Sequence, residues 1–210
     1  EGLGVGVALP IEAKTAYLTV VLAEAGAEVA VASPGPFFVQ DDVAAALAER
    51  GVSVYASSDN PPEKADRELE RVLDKALDGR EAVLIDDRAG LVRLAHTTRR
   101  NLLDGIRGAS EETTSGVAKL RAMEREGVLE FPVIAANDAR CKYLFDNRYG
   151  TGQSTLTAIM QSTNLMVGGK RVVVLGYGWC GKGIARYAAG LGARVSVCEV
   201  DPVRGLEAYA

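Results

Sequence analysis

Histidine is almost absent from this chain, with His96 the single copy in 210 residues, which excludes a histidine-rich metal site within it. Cysteine is scarce as well. Cys141, Cys180 and Cys198 are odd in number and show no metal-ligand spacing, so they read as reduced thiols rather than a disulfide framework, and no metal site is expected. A basic surplus is missing: 24 basic against 28 acidic residues give 24 − 28 = −4, without a basic cluster, so there is no electrostatic case for nucleic acid or anionic membrane. No apolar run approaches a membrane span, and the first residues lack a charged region followed by an apolar core, which makes the cytoplasm the default location. Repeats and low-complexity tracts are lacking too; residues 57–62, SSDNPP, read as an ordinary surface loop. The remaining balance, 48% hydrophobic and 25% charged, is that of a globular enzyme.

The densest local signal lies at residues 172–202, VVVLGYGWCGKGIARYAAGLGARVSVCEVDP. A β-branched run leads into Gly176-x-Gly178-x-x-Gly181, a helical stretch follows, and a second apolar run ends in Glu199, at the spacing of the acid that binds the adenosine ribose. Gly176 permits the tight turn, Gly178 lets backbone approach a pyrophosphate, Gly181 lets helix pack on strand, and the helix N-terminus aims N–H groups at the phosphates. The bland reading is a glycine-rich turn in a cofactor-free α/β unit. Strand, glycines, helix, strand and acid in that order favour a dinucleotide site, and an acid at Glu199 favours NAD over NADP. Trp179 and Cys180 read as packing residues of the loop.

Elsewhere, apolar runs with β character alternate with amphipathic stretches, the pattern of a parallel sheet covered by helices. Strands are expected within residues 5–9, 28–32, 52–56, 82–86 and 132–135, and helices near 12–25, 40–50, 62–77, 111–126 and 155–167. The fold class is therefore α/β: a parallel-sheet substrate-binding domain over residues 1–152, then a linker helix and the first βαβ of a Rossmann-type NAD-binding domain over 153–210. Gly168 and Gly169 form the exit turn of that linker helix. A doubly wound domain needs more strands than this, so the chain reads as part of a longer polypeptide.

Polar residues cluster where strands end, which is where open α/β sheets place ligands. Asp86-Asp87 closes one strand; Ser110 to Gly116, SEETTSG, follows a glycine-rich turn and opens a helix; Asn137-Asp138 ends another strand, with Lys142, Asp146 and Asn147 just beyond. Lys142 and Asp146 stand at i and i+4 on one helix face, within reach of each other, whether as a working pair or as a surface salt bridge. SEETTSG has a plain reading too, with Ser110 capping a helix and the glutamates complementing its dipole. His96 reads as a helix-surface or packing residue.

Five segments together carry a family resemblance: QDDVAAALAERGVSVYA, LIDDRAGL, GIRGASEETTSGV, NDARCKYLFDNRYGTGQST and LGYGWCGKGIARYAAGLGARVSVCEVDP. In this order and spacing the chain resembles the S-adenosylhomocysteine hydrolase (adenosylhomocysteinase) family along almost its whole length, with FDNRYGTGQS and GYGWCGKG similar to the archaeal and bacterial branch. The resemblance implies bound NAD, oxidation of a ribose 3'-hydroxyl to a ketone, loss of the acidified C4' proton, expulsion of the 5' substituent, addition of water and re-reduction. It implies that Lys142 and Asp146 serve the 3'-oxidation, Asp87 removes the C4' proton, Glu112 binds ribose hydroxyls, and Thr113, Thr114, Ser115 and Asn147 contact NAD. It also implies an adenosine-type nucleoside or S-adenosylhomocysteine as substrate and a homo-oligomer, typically a tetramer.

Three departures fall on the homocysteine side. The family has a histidine in a segment like LHLEAKTA where this chain has Pro10 in LPIEAKTA, and proline transfers no proton. A polar strand-to-helix loop is replaced by Gly35-Pro36-Phe37-Phe38-Val39-Gln40-Asp41, and a DDGADL-like segment by DDRAGL, with Arg88 and Gly90 beside the expected base. Phe37 and Phe38 could equally be core side chains. If they are not, the expectation is an enzyme redirected to another nucleoside, running oxidation, C4' deprotonation and elimination as a 4',5'-dehydratase of the kind that suits nucleoside-antibiotic biosynthesis. The alternatives are a conventional hydrolase with a divergent leaving-group pocket and a catalytically silent NAD-binding regulator.

Overall fold

Valines on one side of each strand and glycine or alanine on the other set the architecture of the first half of the chain. Strands β1 (Gly4–Ala8) and β2 (Glu28–Ala32) turn Val5, Val7, Val29 and Val31 toward Ala44 and Leu47 of a helical layer formed by α1 (Ala13–Glu24) and α2 (Asp41–Glu49). The opposite face presents Ala8, Ala30 and Ala32 to Leu69, Val72, Leu73 and Ala76 of α3 (Ala65–Ala76). A Cβ at Gly4 would stand 1.8 Å from the Ala76 carbonyl oxygen, so α3 lies closer to β1 than any residue but glycine allows. Burying each of these leucines and valines contributes roughly 1.5–3 kcal/mol, the main force holding helices to sheet.

The computed structural model describes residues 2–210 and falls into two units, Glu1–Asn137 and Asp138–Ala210. In the first, β3 (Ser53–Val54), β4 (Ala82–Asp86), β5 (Ile106–Glu111) and β6 (Val133–Ala135) complete a six-stranded parallel sheet of order β3-β2-β1-β4-β5-β6. Helix α4 (Gly90–His96) follows β4, and α5 (Thr114–Arg125) follows β5. The strand order reverses between β1 and β4, so the ligand crevice of this unit lies above their C-terminal ends.

The expected strands and helices appear with shifts at their ends, the largest at the helix over Thr151–Thr163, and within the first unit β5 and α4 are the additions. Residues 106–111 read as a glycine-rich turn into a helix capped by Ser110; instead they form a strand, Ser110 pairs with Ile85 and Ile134, and α5 starts later, with the Thr113 hydroxyl accepting the Gly116 N–H as its cap. Gly108, at φ +155°, lets the strand pass the Pro132 carbonyl, which a Cβ there would meet at 2.9 Å. His96 is buried: Nδ1 lies 2.8 Å from the Val92 carbonyl, Nε2 accepts the Glu130 N–H, and the ring sits 4.8 Å from Phe131, the packing role expected of it.

The second unit holds α6 (Arg140–Lys142), a π-helical run (Tyr143–Gly150), α7 (Thr151–Thr163), then β7 (Arg171–Leu175), α8 (Trp179–Gly190), β8 (Arg194–Cys198) and α9 (Pro202–Tyr209). Strands β7 and β8 pair in parallel around α8, the expected βαβ. Residues 138–152, read from the sequence as the end of the first domain, pack within the second unit. Glycine contacts explain the difference: a Cβ on Gly183 of α8 would meet the Arg148 carbonyl oxygen at 1.6 Å, and one on Gly152 of α7 would meet the Gly183 carbonyl carbon at 2.7 Å. The segment carrying Lys142 to Asn147 is thus clamped onto the dinucleotide-type unit. Among the described residues no helix is long and apolar enough to cross a membrane.

Gly183→Ala is therefore expected to destabilise this unit by about 2–3 kcal/mol through overpacking, read as a lowered thermal midpoint in circular dichroism, because backbone rather than a flexible side chain must give way.

Candidate active site

Two acidic pairs stand side by side where β4 and β5 end, and each is split between structure and chemistry. Asp86 is fully buried; its Oδ1 accepts the N–H groups of Asp87 and Leu91, and its Oδ2 that of Val92, which fixes the start of α4. Glu111 is equally buried and takes four donors: the N–H of Arg88, the N–H and hydroxyl of Thr113, and, on its other oxygen, the N–H of Ala89. Its carboxylate occupies the space that a side chain at Gly116 would need, 2.0 Å from where a Cβ would sit. The family resemblance singled out Asp87 and Glu112, whereas the structural part of Asp86 and Glu111 was missed; each being the first of two adjacent acids was the only signal.

Asp87 is different. It is buried, yet its Oδ1 accepts no hydrogen bond. Burial raises its carboxyl above the ordinary carboxylate range, the charge of Glu112 raises it further, and the Thr113 hydroxyl and Arg88 only partly oppose this. A carboxyl raised in this way and left with one unpartnered oxygen is a stronger base than an ordinary carboxylate. Glu112 is half-buried beside it. Thr113 caps α5 and donates to Glu111, whereas Thr114 and Ser115 are exposed; the Thr114 hydroxyl lies 3.3 Å from the Asn137 amide oxygen.

The loop after Asp87 is held in a costly shape. Arg88 and Ala89 both adopt the left-handed region, at φ +59° and +56°, a conformation costing roughly 1–2 kcal/mol for each residue with a Cβ. Glu111 holds both amides, the Thr113 hydroxyl also accepts the Arg88 N–H, and Lys119 Nζ donates to the Arg88 carbonyl. Phe37 and Phe38 are not core side chains: they are 87% and 36% exposed. The Arg88 guanidinium lies over the Phe38 ring, 4.7 Å from its centroid.

In the second unit Lys142 meets both Asn147 and Asp146. Its Nζ donates to the Asn147 amide oxygen at 2.7 Å, while Asp146 Oδ2 stands 3.6 Å away, beyond hydrogen-bonding range, with its side chain largely exposed. The i,i+4 pair read from the sequence is thus present as an ion pair, and the wider turn of the π-helical run adds residue i+5, the buried Asn147, as a hydrogen-bond partner of Lys142.

The glycine loop fits a dinucleotide. Gly176 has φ +93° and its N–H donates to the Cys198 carbonyl, tying the ends of β7 and β8 together. A Cβ at Gly181 would meet the Gly176 oxygen at 2.0 Å, whereas the space at Gly178, the first residue before α8, is open to within 4.0 Å of Arg204. Glu199 at the end of β8 accepts the N–H groups of Asp201, Val200 and, within the loop, Tyr177; those of Asp201 and Tyr177 lead in holding its carboxyl below the ordinary range, leaving an anion at the ribose position. Trp179 stacks on Tyr143 at 5.1 Å and under Lys182 at 4.8 Å, a packing role.

Carboxylates at the switch point of one parallel sheet, in a chain that also carries a glycine-loop βαβ, define the class of nicotinamide-dinucleotide α/β proteins. The S-adenosyl-L-homocysteine hydrolase family model matches residues 1–102, and the model of that hydrolase's NAD binding domain matches residues 147–210. The chain is 57% identical over 208 residues to an adenosylhomocysteinase of Pyrococcus abyssi, covering 99% of this chain and 48% of that protein. It is 53% identical to an S-inosyl-L-homocysteine hydrolase of Methanocaldococcus jannaschii, covering 99% and 49%, and 53% identical to an adenosylhomocysteinase of Thermotoga maritima, covering 99% and 50%. The chain belongs to the S-adenosyl-L-homocysteine hydrolase family, and its cofactor is NAD. It spans about half the length of the curated relatives it matches.

Burial pushes the Asp86 carboxyl from 3.8 up to about 7 against the pull of its N–H donors. The folded form then holds a proton that the unfolded chain has lost between these values, so this group's contribution to stability falls as pH rises from about 4 to about 7. Asp86→Asn is expected to flatten that slope and, by setting an amide N–H against a backbone N–H, to cost about 1–3 kcal/mol in urea unfolding at pH 5.

Proposed function

We propose that this chain forms the substrate unit and part of the NAD unit of an enzyme that eliminates the 5' substituent of an adenosine-type nucleoside. The buried, unpartnered oxygen of Asp87, beside the saturated carboxylates of Asp86 and Glu111, is the observation that carries the reading. NAD, when bound, supplies the reversible oxidation of the ribose 3'-hydroxyl to a ketone. Gly176, Gly178, Gly181 and Glu199 would hold it, with Thr113, Thr114, Ser115 and Asn147 as further contacts.

Lys142, oriented by Asn147 and with Asp146 nearby, takes the 3'-hydroxyl proton on the lone pair of its free amine, which becomes the ammonium. Glu112 binds ribose hydroxyls. Asp87 takes the C4' proton that the neighbouring ketone acidifies, and the 5' substituent leaves as the C4'=C5' bond forms. Whether water then adds is the point at which two readings part. Pro10 offers no proton, and the exposed Phe37 and Phe38 show apolar rather than polar groups on that side; these favour a dehydratase, in which hydroxide departs from a free 5'-hydroxyl and a 4',5'-unsaturated nucleoside results. The 57% identity to a protein named adenosylhomocysteinase favours hydrolysis to nucleoside and homocysteine. On this reading the enzyme is a cytoplasmic homo-oligomer.

The test is to incubate full-length protein and NAD separately with S-adenosylhomocysteine, S-inosylhomocysteine and adenosine-type nucleosides with a free 5'-hydroxyl, and to identify products by mass spectrometry. Loss of one water from a nucleoside without homocysteine release is the expected result. Homocysteine release establishes the conventional hydrolase, and a complete absence of NADH absorbance with every substrate indicates a silent regulator.

A further inference from the structure

Arg88 and Phe38 come from opposite sides of one strand. Phe38 follows β2 and Arg88 follows β4, and β1 lies between those two strands in the sheet. Their contact therefore spans the C-terminal end of β1, over the crevice at which Leu9 and Pro10 leave the sheet. The Phe38 segment is itself stitched to that end of β1: the Ile11 N–H donates to the Phe38 carbonyl at 2.8 Å, and the Gln40 N–H donates back to Ile11. Among the described residues the Arg88 guanidinium makes no ion pair. A guanidinium is thus held by an aromatic face and a strained, hydrogen-bonded backbone, one residue from the buried, unpartnered Asp87 oxygen.

We infer that Arg88 is a catalytic residue of the elimination, its guanidinium stabilising the negative charge that develops on the departing 5'-oxygen, with Phe38 as its positioning residue. The inference rests on the elimination reading above and assigns the group that makes a poor leaving group leave. On the 3'-keto nucleoside, the C4'–H bond breaks to Asp87, its electron pair forms C4'=C5', and the C5'–O pair departs with oxygen while facing Arg88. The proton held by Asp87 passes to that oxygen, so one water is lost and Asp87 is again a carboxylate. No oxidant is consumed in this step. Arginine gives up no proton at working pH, so its part is electrostatic, as with a preorganised oxyanion donor.

The experiment compares leaving groups. Full-length protein with NAD is given adenosine, whose 5'-hydroxyl leaves poorly, and 5'-deoxy-5'-fluoroadenosine, whose fluoride needs less help. Unsaturated product is followed by mass spectrometry for the wild type, Arg88→Gly, Arg88→Lys and Phe38→Leu. Glycine adopts φ +59° freely, so Arg88→Gly is expected to fold. Its turnover of the hydroxyl substrate should fall about 100-fold relative to the fluoro substrate. Arg88→Lys should recover part of that ratio, and Phe38→Leu should lower it less than the glycine variant does. An unchanged ratio in Arg88→Gly, whether both rates fall together or neither falls, overturns the assignment. So does a wild type that releases fluoride but takes no water from adenosine, although elimination itself then stands. A wild type that consumes neither substrate, and forms no NADH absorbance with either, overturns the functional reading and the assignment with it.

Discussion

Two carboxylates that never meet solvent organise the chemistry of this molecule. Asp86 and Glu111 end neighbouring parallel strands, and between them they take the backbone N–H groups of Asp87, Arg88, Ala89, Leu91, Val92 and Thr113. A buried carboxylate is tolerated only when its oxygens are satisfied, and here the satisfying donors are the loops that would meet a ligand. The same bonds force Arg88 and Ala89 into left-handed backbone and leave the next acid along, Asp87, with an open oxygen. Strain, charge and openness concentrate at one strand end because the neighbouring residue on each strand is saturated.

The second unit solves a different problem, that of holding a lysine in place. A π-helical turn sets the Asn147 amide oxygen on the Lys142 ammonium, and glycine-on-backbone contacts between Gly152, Gly183 and Arg148 fasten that turn to α8. The helix that presents the glycine loop is thus the one that steadies the lysine. A rigid element supporting both groups is what preorganised acid-base chemistry requires, since a shift of about 1 Å in such a group is costly to rate.

The sequence disclosed the fold where periodicity was strong. The valine-alanine alternation of β2 and the apolar run of β4 read directly as strands, and the glycine pattern at 176–181 read as the loop it is. β5 escaped because IRGASE holds little apolar side chain: it is a strand by virtue of neighbours on both sides and of Gly108, neither visible locally. The Lys142–Asp146 pair was legible from its i,i+4 spacing, but the closer Asn147 partner was not, since that count assumes an α-helix and the chain makes a wider turn. Likewise, doubled acids announced a site, yet which acid of each pair faces inward depends on the strand ending and on long-range N–H donors. The exposure of Phe37 and Phe38, left open by the sequence, came only from the packing of β1 and β2.

The central claim, that Asp87 removes the C4' proton of a ribose, is tested most directly by solvent exchange. Full-length protein with NAD is incubated with an adenosine-type nucleoside in deuterium oxide, and recovered nucleoside is examined by NMR for deuterium at C4', with NADH absorbance followed in parallel. The account predicts deuterium at C4' with the wild type, and for Asp87→Asn a persisting NADH signal without incorporation. Exchange that survives Asp87→Asn, or NADH formation by the wild type with neither exchange nor elimination, would contradict it.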